Sequence, residues 1–197
     1  KSTNLTKYLK TLMDLDILER RVPVTEENPE KSKRGLYKIK DNYLRFWFAF
    51  IYPNMSFIES GHSGIVMDKI RRGLATSHIG FVYEDICQER MWELNVNNAW
   101  PFQFSQLGGY WDAKNEIDIA ALDPEGKNLI LGECKYWKEP VGLNVLHALE
   151  AKACDVAWER DRRKVWYVLF SISGFSDELR NHAATRDDLL LIDDGGR

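Results

Sequence analysis

Two neighbouring segments decide the fold of this chain: Asn115-Glu-Ile-Asp-Ile-Ala-Ala-Leu122 and Asn128-Leu-Ile-Leu-Gly-Glu-Cys-Lys135. Both are short and apolar, and a few turn residues separate them, so the pattern predicts two successive buried strands. Because side chains alternate between the faces of a strand, Asp118 lies on one face of the first strand. By the same rule, Glu133 and Lys135 share one face of the second strand.

These charged side chains predict a metal site. Unpaired carboxylates and ammonium groups are expensive to bury, so they usually have partners or bind metal ions. An acid on one strand and Glu-x-Lys on the next suit a site where Asp118 and Glu133 bind Mg²⁺ or Mn²⁺ and phosphodiesters are cut. Lys135 would orient the attacking water or stabilise the charge of the transition state. Glu84 or Glu116 is a candidate to bridge to a second metal ion.

A simpler interpretation stays open at this point. Glu133 and Lys135 form an ion pair on a sheet surface, and the acids of the first strand are solvated. Exposed ion pairs contribute little to stability and are common. Glu-x-Lys alone is a weak signal, and the acid one strand earlier is what favours the metal site. The four histidines show no metal-ligand spacing, and no serine lies in a nucleophile elbow.

Composition supports a folded chain with an uneven charge distribution. Of its 197 residues 44% are hydrophobic and seven are tryptophan, which is enough for a real core. Residues 1–40 hold ten basic against six acidic residues, whereas the remainder holds 17 against 24. This asymmetry indicates a nucleic-acid contact beside a metal-attracting cleft, with chance as the plain alternative. A basic turn is a further candidate to bind phosphate, if it is not simply a solvated loop: Arg160, Arg162, Arg163 and Lys164.

Cysteine content and targeting signals favour a cytoplasmic protein. The three cysteines lie far apart and match neither a disulfide framework nor a zinc site, which indicates a reducing compartment. No signal peptide is visible, and the longest apolar run, Phe46–Tyr52, is too short to span a bilayer. Because the chain begins at Lys1, already inside a helical pattern, we expect it to be the C-terminal piece of a longer protein.

The first 40 residues follow the order helix, strand, basic loop, strand. The pattern predicts a helix through Leu12 and strands at 19–24 and 36–40. This order is typical of the back half of a winged helix, a module that binds DNA in some proteins and docks to proteins in others. In the DNA-binding case the loop supplies the contacts: Lys31, Lys33 and Arg34.

The remaining pattern predicts an α/β domain after a connector. The aromatic run from Asp41 to Pro53 predicts a buried helix between two domains. Helices are then expected near 65–72, 79–94, 143–159 and 176–182, and strands at 100–106, 115–122, 128–135, 164–170 and 188–192. The long helix between two strands indicates a parallel crossover. The predicted domains are therefore a winged-helix remnant with its aromatic helix at 1–53, a connector at 54–77 and the α/β domain at 78–197.

This order of elements, with Asp118 and the Glu-Cys-Lys segment that ends at Lys135, resembles the core of the PD-(D/E)XK nuclease superfamily. Type II restriction enzymes and archaeal Holliday-junction resolvases belong to it. The resemblance implies a restriction-endonuclease-like mixed sheet flanked by helices. It also implies that Asp118 and Glu133 are metal ligands, that Lys135 serves the attacking water, and that the backbone carbonyl of Cys134 completes the inner shell. Glu84 matches the acid that many members carry on the preceding helix.

The chain departs from the family pattern in two places. Glu116-Ile117 precedes Asp118 where the family name has proline. The polar residue that the family adds on the following helix has three candidates: Asn144, His147 and Lys152.

A narrower resemblance covers nearly the whole chain. It rests on Tyr8-Leu-Lys-Thr-Leu, Glu19-Arg-Arg-Val-Pro-Val-Thr, Lys31-Ser-Lys-Arg-Gly-Leu-Tyr-Lys-Ile-Lys-Asp and Phe46-Trp-Phe. These segments are similar to a C-terminal module that follows the P-loop ATPase domain in archaeal and bacterial ATPases of the AAA+ type. The chain itself has no GxxxxGK[ST] stretch, so the resemblance implies a missing N-terminal ATPase domain as partner.

The sequence thus favours a metal-dependent DNA endonuclease module of a larger ATPase. The alternative is a non-catalytic module that binds DNA or regulates its ATPase, and a pure assembly module is the third possibility. DNA is the expected partner, a homo-oligomer is possible, and no membrane partner is expected.

Overall fold

Helices flank a two-stranded hairpin at the start of the computed structural model, which describes residues 2–194 but not the side chains of residues 2–4, 76 and 77. The elements are α1 (Ser2–Asp14), β1 (Leu18–Arg21), β2 (Leu36–Ile39), α2 (Asn42–Phe46), α3 (Met55–Glu59) and α4 (Ser63–Leu74). Strands β1 and β2 pair antiparallel over their whole length. One compact unit comprises the chain through Val22 and Pro29–Val82, and a second comprises Pro23–Asn28 and the chain from Tyr83 onward. The predicted domain boundaries at residues 53 and 77 stay a prediction.

Arg20 organises the loop between β1 and β2. Its guanidinium donates to the carbonyl oxygens of Pro29 at 2.7 Å and Ser32 at 2.6 Å. A Cβ at Gly35 would lie 2.4 Å from Arg20 Nε, so a side chain at this position would displace the guanidinium from where it lies. The loop carries the three residues predicted to contact DNA, two exposed and the third half-buried: Lys31, Lys33 and Arg34.

The aromatic run after β2 is helical but not fully buried. A π-helical turn at Trp47–Ile51 follows α2 and packs against α4, and Phe50 is buried there. Three other rings of the run are exposed, which corrects the prediction of a wholly buried helix: Tyr43, Phe48 and Tyr52. A helix packed on one side leaves the rings of its other side in solvent.

The second unit contains the α/β arrangement. Its elements are α5 (Gly80–Val96, entering from the first unit), β3 (Gln106–Trp111), β4 (Glu116–Leu122), β5 (Asn128–Lys135), α6 (Leu143–Asp155), β6 (Lys164–Ser171), α7 (Asp177–Ala183) and β7 (Leu189–Asp193). The five strands form one sheet in the order β3-β4-β5-β6-β7. Strands β3, β4 and β5 pair antiparallel, and β5, β6 and β7 pair parallel, with α6 as the crossover between β5 and β6. None of the helices in the described part of the chain is long and apolar enough to cross a membrane.

Both faces of this sheet are covered. Cys87 and Met91 of α5 pack on one face with Ile119 and Ile130. On the other face, α6 and α7 pack against strand residues that include Ala120, Leu122, Leu129 and Leu131. Because strands buried on both faces need apolar side chains on both, β4 and β5 read as nearly continuous apolar segments.

The first strand of the sheet begins later than the sequence predicts. The prediction placed a strand at 100–106, whereas β3 starts at Gln106. Asn95 explains the difference, because its buried side chain accepts from the Phe104 N–H and donates to the Phe104 carbonyl, both at 3.0 Å. The backbone groups of Phe104 are therefore satisfied by a side chain of α5 and not by a neighbouring strand.

The crossover helix ends at Asp155, four residues before its predicted end. Arg163 binds the freed carbonyls: its guanidinium donates to Ala153 at 3.0 Å, to Val156 at 2.8 Å and to Trp158. Arg162 pairs with Glu159 in the same turn. Much of the predicted basic phosphate-binding turn is thus engaged in ending α6.

Residues 23–28 belong to the sheet unit. The Val24 N–H donates to the Gly109 carbonyl at 3.0 Å, and Val24 packs on the core of α6 and α7. The sequence predicted that the strand before this segment continues to Val24, but β1 ends at Arg21. The difference arises because Val24 bonds to β3, a partner distant in sequence.

The sheet unit has the fold class that the sequence predicts, an α/β arrangement with a mixed sheet flanked by helices. The partial winged-helix domain before it stays a prediction. The acid-bearing strands β4 and β5 lie in the middle of the sheet.

Gly132 controls how closely the middle strands approach. A Cβ at this position would lie 2.5 Å from Val168 Cγ1, 2.9 Å from the Val168 carbonyl and 3.1 Å from Ile119 Cβ. Gly132→Ala is therefore expected to lower the free energy of unfolding by about 1–3 kcal/mol through overpacking, measured by urea denaturation. Gly64→Ala is the matched control, since a Cβ there meets nothing within 4 Å. Equal midpoints for Gly132→Ala and wild type would contradict this spacing of the strands.

Candidate metal centre

Strands β4 and β5 separate where the predicted acid lies. Their paired positions run from Leu122↔Leu129 to Ile119↔Gly132. One position further, the Asp118 carboxylate accepts from the Cys134 N–H, with a distance of 2.8 Å from Oδ2 to N. The carboxylate thus binds a backbone donor of β5 where the ladder with β4 stops.

The other edge of β5 stays paired. β5 and β6 continue in register through Glu133↔Leu169 to Lys135↔Ser171. From the α5 side, Gln88 Nε2 donates to the Asp118 carbonyl at 3.4 Å. The two strands that carry the acids are therefore held by independent neighbours at the point where they separate.

Glu133 lies at the centre of an ion-pair network. It is 5% exposed, and each of its carboxylate oxygens contacts a lysine. Lys152 Nζ donates to Oε1 at 2.6 Å, and Lys135 Nζ donates to Oε2. Lys135 Nζ also lies 3.6 Å from Asp118 Oδ2. Two carboxylates and two ammonium groups thus form one connected cluster.

The network changes the acidity of its members. Burial and the negative charge of Glu133 raise the pKa of Asp118 to about 6, against the lowering effects of Lys135 and the Cys134 N–H. For Lys135, burial lowers the pKa, but Asp118 and Glu133 outweigh it and raise the pKa above its usual value. A carboxyl group that titrates near neutrality beside a second, buried carboxylate is typical of functional sites.

Three of the predicted site residues come together here. The Nζ atom of Lys135 contacts the carboxylates of both Asp118 and Glu133. The Cys134 side chain is buried in the core on the α5 face of the sheet, where burial raises the pKa of its thiol. The role of its backbone carbonyl as a ligand stays a prediction.

The two other predicted carboxylate ligands are Glu84 and Glu116. Glu84 is half-buried on α5, close enough to Cys134 for its charge to raise the pKa of that thiol. The Glu116 side chain is exposed. No group of three or more His, Cys, Asp and Glu side chains within the described residues is arranged to hold a metal ion. Metal binding by Glu84 or Glu116 therefore stays a prediction, and the site offers two carboxylates.

Lys152 is the residue that the sequence could not single out. Of the three polar candidates on α6, Asn144 and His147 are exposed, whereas Lys152 reaches Glu133 and also donates to the Glu116 carbonyl at 2.7 Å. One signal was present, since Lys152 continues the helical spacing of the buried residues Val145 and Leu149. A lysine on the apolar side of a helix needs a buried partner.

The sheet order, the mixed strand directions and the helices on both faces define an α/β domain with a two-carboxylate, two-lysine cluster at the separated ends of its middle strands. The chain belongs to a family described as archaea bacterial proteins of unknown function, whose model matches residues 47–154.

The chain is also similar to one curated protein and to one solved structure. An uncharacterized protein of Methanocaldococcus jannaschii is 40% identical over 139 residues, which are 71% of this chain and 30% of that protein. The chain therefore spans less than a third of that relative's length. A repair endonuclease from Pyrococcus abyssi is a similar solved structure, with a TM-score of 0.34 and 12% identity, over 52% of this chain and 44% of that one.

The raised pKa of Asp118 predicts a stabilising substitution. The folded state holds the proton more tightly than the unfolded chain, so wild type loses stability as the pH rises from about 4 to about 6. Asp118→Asn resembles the neutral form and keeps an acceptor for the Cys134 N–H. It is expected to raise the free energy of unfolding by about 2 kcal/mol at pH 8 and to have little effect at pH 4, measured by urea denaturation at both pH values.

Asp112→Asn is the control of opposite sign. The N–H groups of Lys114 and Asn115 lower the pKa of Asp112, so its charged form stabilises the fold and the substitution should destabilise it at pH 8. A loss of stability in Asp118→Asn at pH 8 would mean that the Asp118 charge is favourable in the fold, which would contradict the prediction.

Proposed function

We propose that this chain is a metal-dependent nuclease module that hydrolyses phosphodiester bonds of DNA. The observation that carries the proposal is the convergence of Asp118 and Glu133 on Lys135 at the separated ends of β4 and β5. Two carboxylates and one lysine at the ends of two neighbouring strands are groups suited to such hydrolysis. The family described as being of unknown function leaves the activity open.

The donor set suits Mg²⁺ or Mn²⁺. Both ions prefer oxygen ligands, and Mg²⁺ is commonly held by one or two carboxylates with waters or substrate oxygens in the remaining positions. The proximity of Glu133 helps to raise the pKa of Asp118. A divalent cation held by Asp118 and Glu133 would offset this repulsion. Asp118 and Glu133 would hold the ion, which would supply Lewis-acid activation of the phosphate and of bound water.

Charge stabilisation and the positioning of the two carboxylates are provided by residues of the chain. Lys135 provides a positive charge, held by two carboxylates, that can orient a water or stabilise the negative charge of the transition state. Lys152 neutralises Glu133 from α6 and fixes its orientation. The Cys134 N–H holds the Asp118 carboxylate in place.

We also propose that the β1–β2 loop contacts DNA and that the chain associates with an ATPase domain. The exposed lysines of the β1–β2 loop, Lys31 and Lys33, are suited to phosphate contacts, with Arg34 beside them. Association with an ATPase domain in the cytoplasm is part of the proposal. The resemblance to the C-terminal module of AAA+-type ATPases supports it, and a relative more than three times as long as the matched segment has room for such a domain.

A metal titration comes before any activity assay. Mg²⁺ and Mn²⁺ are titrated by calorimetry into wild type and Asp118→Asn, followed by cleavage assays with single-stranded, duplex and branched DNA. Binding by wild type alone, together with cleavage that EDTA stops, is the expected result. Absence of cleavage of every substrate with Mn²⁺ would contradict the proposal for this chain.

A non-catalytic DNA-binding or regulatory module is the second candidate. The observation that favours it is that both oxygens of Glu133 already contact lysines, so the cluster balances its charges without a metal ion. This candidate predicts DNA binding that weakens steeply with salt, no cleavage, and equal DNA binding by Asp118→Asn.

A further inference from the structure

An exposed tryptophan borders the charged cluster. Trp137 follows β5 by two residues and is 46% exposed. Lys135 Nζ, the atom that contacts both carboxylates, lies 5.7 Å from the centroid of the Trp137 ring. The indole is thus next to the position where Lys135 would meet a phosphate.

The backbone beneath this ring is fixed. Ser173 Oγ donates to the Trp137 carbonyl, and the Ile172 N–H donates to the Lys135 carbonyl at 3.5 Å. At the end of the same loop, the Val141 N–H donates to the Gly174 carbonyl at 2.9 Å. The loop between β5 and α6 is therefore bound at both ends to the segment after β6, and little ordering is needed when a ligand meets the ring.

We propose that Trp137 is a stacking platform for an unpaired base next to the scissile phosphate, so that the substrate is DNA with separated strands at the cut. The inference rests on the proposed nuclease function and names its substrate class. An exposed indole stacks on any base face, and a lysine beside it attracts the backbone. Bases inside a continuous duplex are already stacked and must be extruded to reach such a ring.

The other large exposed indole provides a contrast. Trp92 on α5 is 43% exposed, but its ring packs against Phe104 with centroids 4.9 Å apart. Trp92 therefore matches Trp137 in exposure, whereas Trp137 is the ring that lies beside the cluster residue Lys135. Trp92→Ala is the control for a general loss of aromatic surface.

The test measures binding without cleavage. A labelled single-stranded oligonucleotide and the duplex of the same sequence are titrated by fluorescence anisotropy in EDTA with wild type, Trp137→Ala, Trp137→Phe and Trp92→Ala. Trp137→Ala is expected to weaken single-strand binding about tenfold or more and duplex binding less than about twofold. Trp137→Phe should retain most of the affinity, and Trp92→Ala should match wild type.

Several outcomes would overturn the inference: no single-strand binding by wild type, unchanged binding in Trp137→Ala, or an equal loss for both DNA forms. Trp137→Phe guards against a folding defect, since a phenylalanine preserves a stacking face. Trp137-dependent single-strand binding without cleavage under any condition would contradict the nuclease proposal alone. Equal cleavage of single strands and duplex, unaffected by Trp137→Ala, would contradict the stacking proposal alone.

Discussion

Replacing Lys135 by alanine is expected to lower the rate of metal-dependent DNA cleavage by about 10²- to 10³-fold, as the loss of one charge-stabilising donor does in other enzymes. Lys135 is the cation that both Asp118 and Glu133 contact, so in the proposed mechanism its ammonium group would stabilise the negative charge that develops beside them. The substitution removes no oxygen ligand and should leave Mg²⁺ affinity within a few-fold of wild type. Single-turnover cleavage and calorimetry on the same preparations measure the two effects separately.

A distant lysine provides the control for this experiment. Lys127 is exposed and pairs with Glu125, so Lys127→Ala should cleave at the wild-type rate. Asp118→Asn should lose both metal binding and cleavage, because it removes a proposed ligand. Wild-type cleavage by Lys135→Ala would mean that Lys135 serves only the ion-pair network. Cleavage by Asp118→Asn would assign the activity to a contaminant or to another site.

Glu133→Gln is expected to lower the free energy of unfolding by about 3 kcal/mol, because it removes the carboxylate that pairs with both Lys135 and Lys152. Glu133 is 5% exposed, and both Lys135 and Lys152 bind it. The neutral amide offers one acceptor oxygen in place of two charged ones. Urea denaturation at pH 7 measures the loss.

A double variant separates charge from packing in this prediction. Glu133→Gln combined with Lys152→Met should recover part of the stability, since it removes one of the two charges that paired with this carboxylate and keeps a similar volume. Glu125→Gln, in the exposed pair with Lys127, should change stability by less than about 1 kcal/mol. An equally small effect of Glu133→Gln would favour the interpretation of a loose surface ion pair.

The two carboxylates are expected to respond in opposite directions. Glu133 is held by two cations, so its removal should destabilise the fold. Asp118 carries a charge that burial and Glu133 disfavour, so its neutralisation should stabilise the fold at neutral pH. Stability gained by removing a charged group is the behaviour expected of a residue kept for function.

Local patterns were sufficient for the fold class and for part of the site. The apolar runs around Asp118 and Glu133 predicted two adjacent strands, and the helix after them predicted the parallel crossover. Strict alternation put Cys134 on the opposite face from Glu133 and Lys135, as the two cores show. These features depend on side-chain spacing within one strand or helix, which a sequence displays directly.

Contacts between segments distant in sequence could not be predicted from these local patterns. Lys152 was one of three candidates until the packing of α6 brought it to Glu133. The segment before β3 looked like a strand, but Asn95 satisfies the Phe104 backbone from α5. Arg163 looked like a phosphate ligand, but it binds the carbonyls at the end of α6. In each case the hydrogen-bond or ion-pair partner comes from a segment that only the tertiary structure brings close.

By itself, the sequence determined the order of strands and helices, the faces of the middle strands and the acid-lysine pattern. The tertiary structure decided that the strands separate at Asp118, that its carboxylate binds the Cys134 N–H, and that Lys152 completes the cluster. The physical reason is that alternation and helical periodicity are properties of one element, written in consecutive residues. The position of a charge relative to its partner is set by how several elements pack, and no single segment encodes it.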